Sequence, residues 1–174
     1  MSDSEREDHQ SEEQLNPLIF ARHSLLAYAV SQWEGYNPAW HHKVIAQKLE
    51  AVERGEIKRL MIFVPPRHGK SQLSSEFFPA WYLGRNPDKY IITATYSQEL
   101  AEDFGRKVRN QLQDIIHQTL FPECRLSPDS QSSKRFSTLQ RGTYFAVGVG
   151  SSITGRGANV LIIDDPIKNR EEAD

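Results

Sequence analysis

Apolar residues recur along this chain with two different periods. Beyond Pro17, Ile19, Leu26, Val30 and Trp33 follow at spacings of seven, four and three, which places them on one helical face. Asn16-Pro17 supplies an N-cap with proline at the first helical position, so the spacing predicts a helix that runs to the break at "EGYN". Asn37-Pro38 repeats that start. Ile45, Leu49 and Val52 line the second helix, and Gly55 ends it.

From Arg59 the period shortens. "RLMIFV" (59–64) is a short apolar run suited to a buried strand, and a helix is predicted from about Lys70 to Leu83, closed by Gly84. "YIITATY" (90–96) is rich in β-branched residues and reads as a second strand. Ser97 can cap a helix that carries Leu100, Phe104, Val108 and Leu112 at four-residue spacing. The polar tract "SPDSQSS" (127–133) reads as a mobile loop. "RFSTL" and "TYFAVGV" flank Gln140-Arg141-Gly142 as a hairpin, and "ANVLIIDD" (158–165) is a last strand that ends in two aspartates. Strands alternating with helices predict an α/β fold with a parallel sheet covered on both faces.

Composition narrows the class. At 174 residues and 38% hydrophobic, the chain can bury one real core. No run of eighteen apolar residues occurs, so no membrane span is expected. A single cysteine, Cys124, excludes an internal disulfide framework and reads as a small semi-buried hydrophobe. The net charge of −2 hides an asymmetry: residues 1–14 carry −5 and the remainder +3. The acidic head has too few apolar residues to offset ordering entropy, so disorder is expected there. The mildly basic body neither requires nor excludes nucleic acid.

The chemistry sits at two strand ends. Gly69-Lys70-Ser71 lies between an apolar run and a helix start, where unpaired N–H groups and the positive end of the helix dipole favour phosphate. There Gly69 allows close backbone approach, Lys70 reaches the β- and γ-phosphates, and the Ser71 hydroxyl ligates magnesium. The usual first glycine of such a loop is absent: Val64 stands six residues before Lys70, and Pro65-Pro66 stiffen the strand exit. The plain alternative is an ordinary helix start with an exposed lysine. At the other strand end, Asp164 can hold the metal while Asp165 orients water. The alternative there is two acids capping a turn before Pro166.

"MIFVPPRHGKSQ", "YIITATYSQELAEDFGRKVR" and "SSITGRGANVLIIDDPIKNREEAD" resemble the N-terminal ATPase half of a bacteriophage terminase large subunit, from about Trp40 to Asp174. Proteins of that family drive viral DNA into empty capsids. The resemblance implies a P-loop NTPase fold of RecA/ASCE type over residues 15–174, with ATP and Mg2+ as cofactors. Gly69, Lys70 and Ser71 become the Walker A loop, with Pro66, Arg67, His68 and Gln72 completing the cradle. Asp164 becomes the Walker B metal ligand, and Arg67 the loop arginine that touches the γ-phosphate. Many relatives carry this arginine one place earlier, and the catalytic glutamate of the family is Asp165 here, with Glu171 or Glu172 as substitutes.

"PAWHHKVIAQKLE" resembles the segment that contacts adenine, which singles out His42 and Gln47; a surface histidine and glutamine on an amphipathic helix is the alternative. "TYSQELAED" corresponds to a segment linking the nucleotide site to DNA. Gly155 and Gly157 in "TGRG" suggest a tight loop near the nucleotide, with Arg156 between them. Arg85, Lys89, Arg106, Lys107 and Arg109 are candidates for contacts to DNA phosphates, against the alternative of an ordinary solvated face.

The implied partners are double-stranded DNA, a small terminase subunit and a portal protein, in a homo-oligomeric ring in the bacterial host cytoplasm, with no membrane. Family members continue past Walker B into a further central strand and a nuclease domain, neither of which is in this sequence. A sheet that lacks its central strand is expected to leave backbone edges unpaired, a gap in the core, and a chain that turns ATP over poorly. The competing expectations are a helicase-like DNA-stimulated ATPase and a non-catalytic remnant that at most binds nucleotide.

Overall fold

The computed structural model describes residues 17–151, 155 and 157–167. The acidic head, Asn16, Arg156, Glu171 and Glu172 lie outside the described residues.

Two helices stand where the first periodic stretch predicted one. α1 spans Pro17–Ala21 and α2 spans Leu25–Gln32. The Ser24 side chain accepts a hydrogen bond from the Ala27 N–H and restarts the helix. The restart rotates the register. Leu25, Tyr28 and Ala29 become the buried face, while Val30 and Trp33, expected inside, are 43% and 50% exposed. α3, Trp40–Glu53, follows its pattern: Ile45 and Leu49 are buried, Val52 is partly buried, and Gly55 turns the chain at φ +76°.

After the loop at 65–69 the chain is helical from Lys70 to Arg85, but not uniformly. Gln72–Phe77 forms a widened π turn, with the Phe78 N–H bonded to the Leu73 carbonyl, before α4 (Phe78–Arg85) resumes regular geometry. Pro79 accounts for the widening. It has no N–H to offer the carbonyl four residues earlier, and its ring would crowd that carbonyl in a regular turn. Phe77, Phe78, Trp81 and Tyr82 are buried, as core packing requires.

β1 (Tyr90–Thr95) leads through the Ser97 cap into α5 (Gln98–Gln113) and then α6 (Ile115–Leu120). β2 (Leu126–Gln131), β3 (Arg135–Thr138), β4 (Thr143–Gly148) and β5 (Val160–Ile163) complete a five-stranded sheet of order β2-β3-β4-β1-β5. The sheet is mixed, which corrects the parallel expectation. β4, β1 and β5 run parallel, but β3 and β4 are joined by a short turn and must therefore pair antiparallel, as β2 does with β3. The polar tract expected as a mobile loop is mostly β2. A polar segment with Pro128 is tolerated there because β2 is an edge strand, paired on one side only.

The helices and one sheet face share a single core that includes Tyr28, Leu49, Phe78, Trp81, Ile91, Val108, Tyr144 and Val160. The opposite face carries a second, smaller cluster of Ile92, Ala94, Phe145 and Val147. Cys124 is fully buried, and burial pushes its thiol up to about 12, so it behaves as a small hydrophobe.

The predicted strand at 59–64 has the alternation of a strand without its pairing. Leu60, Ile62 and Val64 pack partly against the core, whereas Met61 and Phe63 are 82% and 87% exposed. Among the described residues it has no ladder partner, and β5 is paired only with β1. A cavity of about 560 Å³ separates the two, lined by Lys58–Ile62 on one side and Ala158–Asp164 on the other. The 59–64 segment and β5 thus lie on either side of a gap.

Candidate functional site

The loop Pro65–Gly69 leaves the 59–64 segment and turns sharply into the helix at Lys70. Two residues sit in left-handed backbone conformations, Arg67 at φ +64° and Gly69 at φ +74°. Gly69 is required twice over. Its φ disfavours any side chain, and an added Cβ would lie 2.5 Å from His42 Nε2.

That closeness comes from a brace across the loop. His42 Nδ1 accepts from the Ala39 N–H at 2.9 Å, which fixes the proton on Nε2, and Nε2 donates to the His68 carbonyl at 3.0 Å. His41 Nε2 donates to the same carbonyl at 3.2 Å, and the His68 ring donates from Nδ1 to the Pro66 carbonyl at 2.9 Å. Burial, aided by neighbouring His41, holds His42 below the ordinary histidine value, which keeps this neutral tautomer in place.

Lys70 lies at the centre of the site. Its ammonium is 2.5 Å from Asp165 Oδ1 and 3.2 Å from Asp164 Oδ1, so groups 94 and 95 residues apart in sequence meet at one charge. Partial burial pulls the ammonium down, but Asp165 and Asp164 together outweigh it and hold Lys70 above the usual lysine value. The two acids differ. Asp164 is 4% exposed, and its second oxygen, Oδ2, accepts from Ser75 Oγ at 2.9 Å. Asp165 is 67% exposed and has φ +43°, an uncommon conformation for a non-glycine residue.

The other sequence-predicted residues distribute as follows. Arg67 is exposed and makes no ion pair or side-chain hydrogen bond among the described residues, so its cation is available beside the loop. The Ser71 hydroxyl likewise makes no hydrogen bond among the described residues. Gln72 lines a shallow groove with Trp33, Glu76 and Lys107, apart from the acids. Gln47 is exposed farther along α3 and makes no hydrogen bond to the loop. The five cations considered for DNA are all engaged internally. Arg85 bonds Glu53, Lys89 bonds Asp88, Arg106 bonds Asp103, Lys107 bonds Glu76, and Arg109 bonds the Gln131 carbonyl.

Sequence reasoning missed Ser75 and the bracing role of His42. Pro79 was the available signal for the first. Nothing in the sequence shows that the start of α3 faces the loop.

The sequence profile of the family described as terminase large subunit, T4likevirus-type, N-terminal, matches residues 61–174. The chain belongs to this terminase family. Membership points to a role in viral DNA packaging, with DNA and packaging proteins as partners. Neither a search of curated proteins nor one of solved structures returned a match. No described helix of this terminase chain is long and apolar enough to cross a membrane.

Proposed function

We propose that this terminase chain binds Mg-ATP at Pro66–Gln72 and hydrolyses it as the ATPase module of a DNA-packaging motor. The observation that carries the reading is the convergence of a glycine-bearing loop, the first turn of a helix and two strand-end carboxylates on the Lys70 ammonium. A lysine ammonium at the start of that helix, beside both acids, is placed to reach the β- and γ-phosphates of a bound nucleotide. Gly69 lets the backbone N–H groups of the turn approach those phosphates, and the unpartnered Arg67 guanidinium reaches the γ-phosphate.

The residues present fit magnesium. Ser71 and Asp164 offer hard oxygen donors, and no cluster of three or more His, Cys, Asp or Glu able to hold a metal occurs among the described residues. Such a site needs phosphate oxygens and water to complete it, which is the habit of Mg2+ rather than of a metal held by protein alone. When bound, Mg2+ supplies charge neutralisation on the phosphates. Released from Lys70, Asp165 is exposed enough to accept a proton from an attacking water.

The fold reading that goes with this function is a P-loop NTPase of RecA/ASCE type. Double-stranded DNA, a small subunit and the portal protein are the partners it implies, in a ring in the host cytoplasm. A second reading, nucleotide binding without turnover, is favoured by the unpaired 59–64 segment. There the loop is anchored by α3 and the core but not by a sheet neighbour.

Phosphate release with and without double-stranded DNA separates the two. On the ATPase reading, Asp165→Ala lowers turnover on the order of a hundredfold or more while ATP still binds. Binding with no turnover in the wild-type chain would select the second reading.

A further inference from the structure

Asp164 is buried and both of its oxygens are in use, but by partners of different kinds. Oδ1 faces Lys70, whose ammonium Asp164 shares with Asp165; Oδ2 accepts from Ser75 Oγ at 2.9 Å. Ser75 is fully buried, and it donates to a carboxylate, which can only accept. Its neighbour Ser74 spends its own proton on the Lys70 carbonyl at 2.8 Å and lies farther off, at Oγ–Oγ 3.4 Å, so Asp164 Oδ2 at 2.9 Å is the nearer and charged acceptor for the Ser75 proton.

The helix makes this possible. Pro79 cannot donate to the carbonyl of Ser75, four residues before it, and the chain answers with the π turn Gln72–Phe77. Ser75 lies within that turn, one residue past the Ser74 hydroxyl that closes back onto Lys70. The widened turn therefore delivers a hydroxyl to the strand-end carboxylate from the same helix that starts at the phosphate loop.

We propose that Ser75 is the positioning residue of the metal site. Its hydroxyl pins Asp164 Oδ2 and so presents Oδ1 to Mg2+ when Lys70 moves to the phosphates. This rests on the nucleotide reading above and adds to it a residue outside the loop. Lys70 is an exchangeable partner of the carboxylate and Ser75 a permanent one. Without the permanent partner, a buried carboxylate that loses Lys70 has no fixed rotamer, and its free oxygen is turned toward the ion only part of the time. Removing a hydrogen-bonding partner of a metal ligand typically costs ten- to a hundredfold in metal affinity.

The test uses the full chain and a fluorescent ATP analogue, titrated first in EDTA and then, at saturating analogue, with Mg2+. Ser75→Ala is expected to bind the metal-free analogue within about twofold of wild type, and to require about tenfold more Mg2+ for the magnesium-dependent change. Ser75→Cys, of similar volume and with a weaker donor, falls between the two. It also carries the comparison if thermal melting shows that the alanine variant is unfolded. An unchanged Mg2+ requirement in a folded Ser75 variant would overturn the role of Ser75 and leave the nucleotide reading standing. Equal losses of metal-free and Mg-dependent binding would make Ser75 a general structural residue and also overturn the proposal. No analogue binding by the wild-type chain would remove the nucleotide reading and this inference with it.

Discussion

His117 gives the clearest single-residue consequence. It is fully buried, its Nδ1 is hydrogen-bonded to the Tyr28 hydroxyl at 2.8 Å, and its Nε2 has no partner among the described residues. Burial, with a smaller contribution from the Arg125 charge, lowers it from the ordinary histidine value to about 3. The unfolded chain then takes up a proton near pH 6.5 that the folded chain refuses. The stability associated with neutral His117 is fully present above pH 6.5 and is lost as pH falls toward 3. Between pH 6.5 and 5 the loss is about 2 kcal/mol. His117→Gln keeps a group that can either donate to or accept from Tyr28 and cannot titrate, so urea melts across this range should show that acid loss in the wild type and not in the variant. At the loop, Gly69→Ala places a Cβ 2.5 Å from His42 Nε2 at φ +74°. It should cost about 1–3 kcal/mol in thermal melts and abolish nucleotide binding, because the new methyl displaces the brace on the His68 carbonyl.

Among the elements, α5 sets two local effects against each other. Gly105 lies in the helix interior, where alanine is better by about 1 kcal/mol. Its missing Cβ, however, makes room for the Ser133 carbonyl, and a methyl there collides with backbone that cannot swing aside. The collision outweighs the propensity, so Gly105→Ala should lower the melting temperature. Ser97→Ala, which removes the cap hydrogen bond to the Leu100 N–H, should cost about 1 kcal/mol in the same assay. These elements also show what was legible in the sequence. α3 and α5 follow from helical period because their apolar residues face one partner surface, although α3 has Ala39 at its N-cap and lacks the side-chain cap expected from Asn37. β1, β4 and β5 follow from short apolar runs rich in β-branched and aromatic residues. The restart at Ser24 was not read, because Ile19, Leu26, Val30 and Trp33 fit a continuous helix equally well and only the cap distinguishes the two. β2 and the 59–64 segment went the opposite ways for one reason: a strand exists by its partner, and sequence shows composition but not pairing. The loop and Asp164 were legible from their motifs. Ser75 was not, because the π turn that brings it into place follows from Pro79 acting on helix geometry.

For the molecule as a whole, the cavity beside β5 has a measurable consequence. Leu60, Ile62, Val64, Val160 and Ile162 face the shared core, so the residues that alternate with them, Met61, Phe63, Leu161 and Ile163, face the other way and are exposed. An apolar surface of that kind, flanking a cavity of about 560 Å³, should bind a hydrophobic dye in the native state, and Phe63→Lys should weaken the dye signal without shifting the melting temperature by more than a few degrees. The same architecture brings the 65–69 loop and the strand-end acids together across more than ninety residues of sequence, and Lys70 is where they meet. Calorimetric titration of Mg-ATP into the folded wild-type chain and into Lys70→Ala therefore tests the account most directly. The account predicts saturable binding by the wild type, dependent on Mg2+, and loss of at least tenfold in affinity in the alanine variant. Equal binding by the two proteins, or none by a wild-type chain shown to be folded by its melting transition, would contradict it.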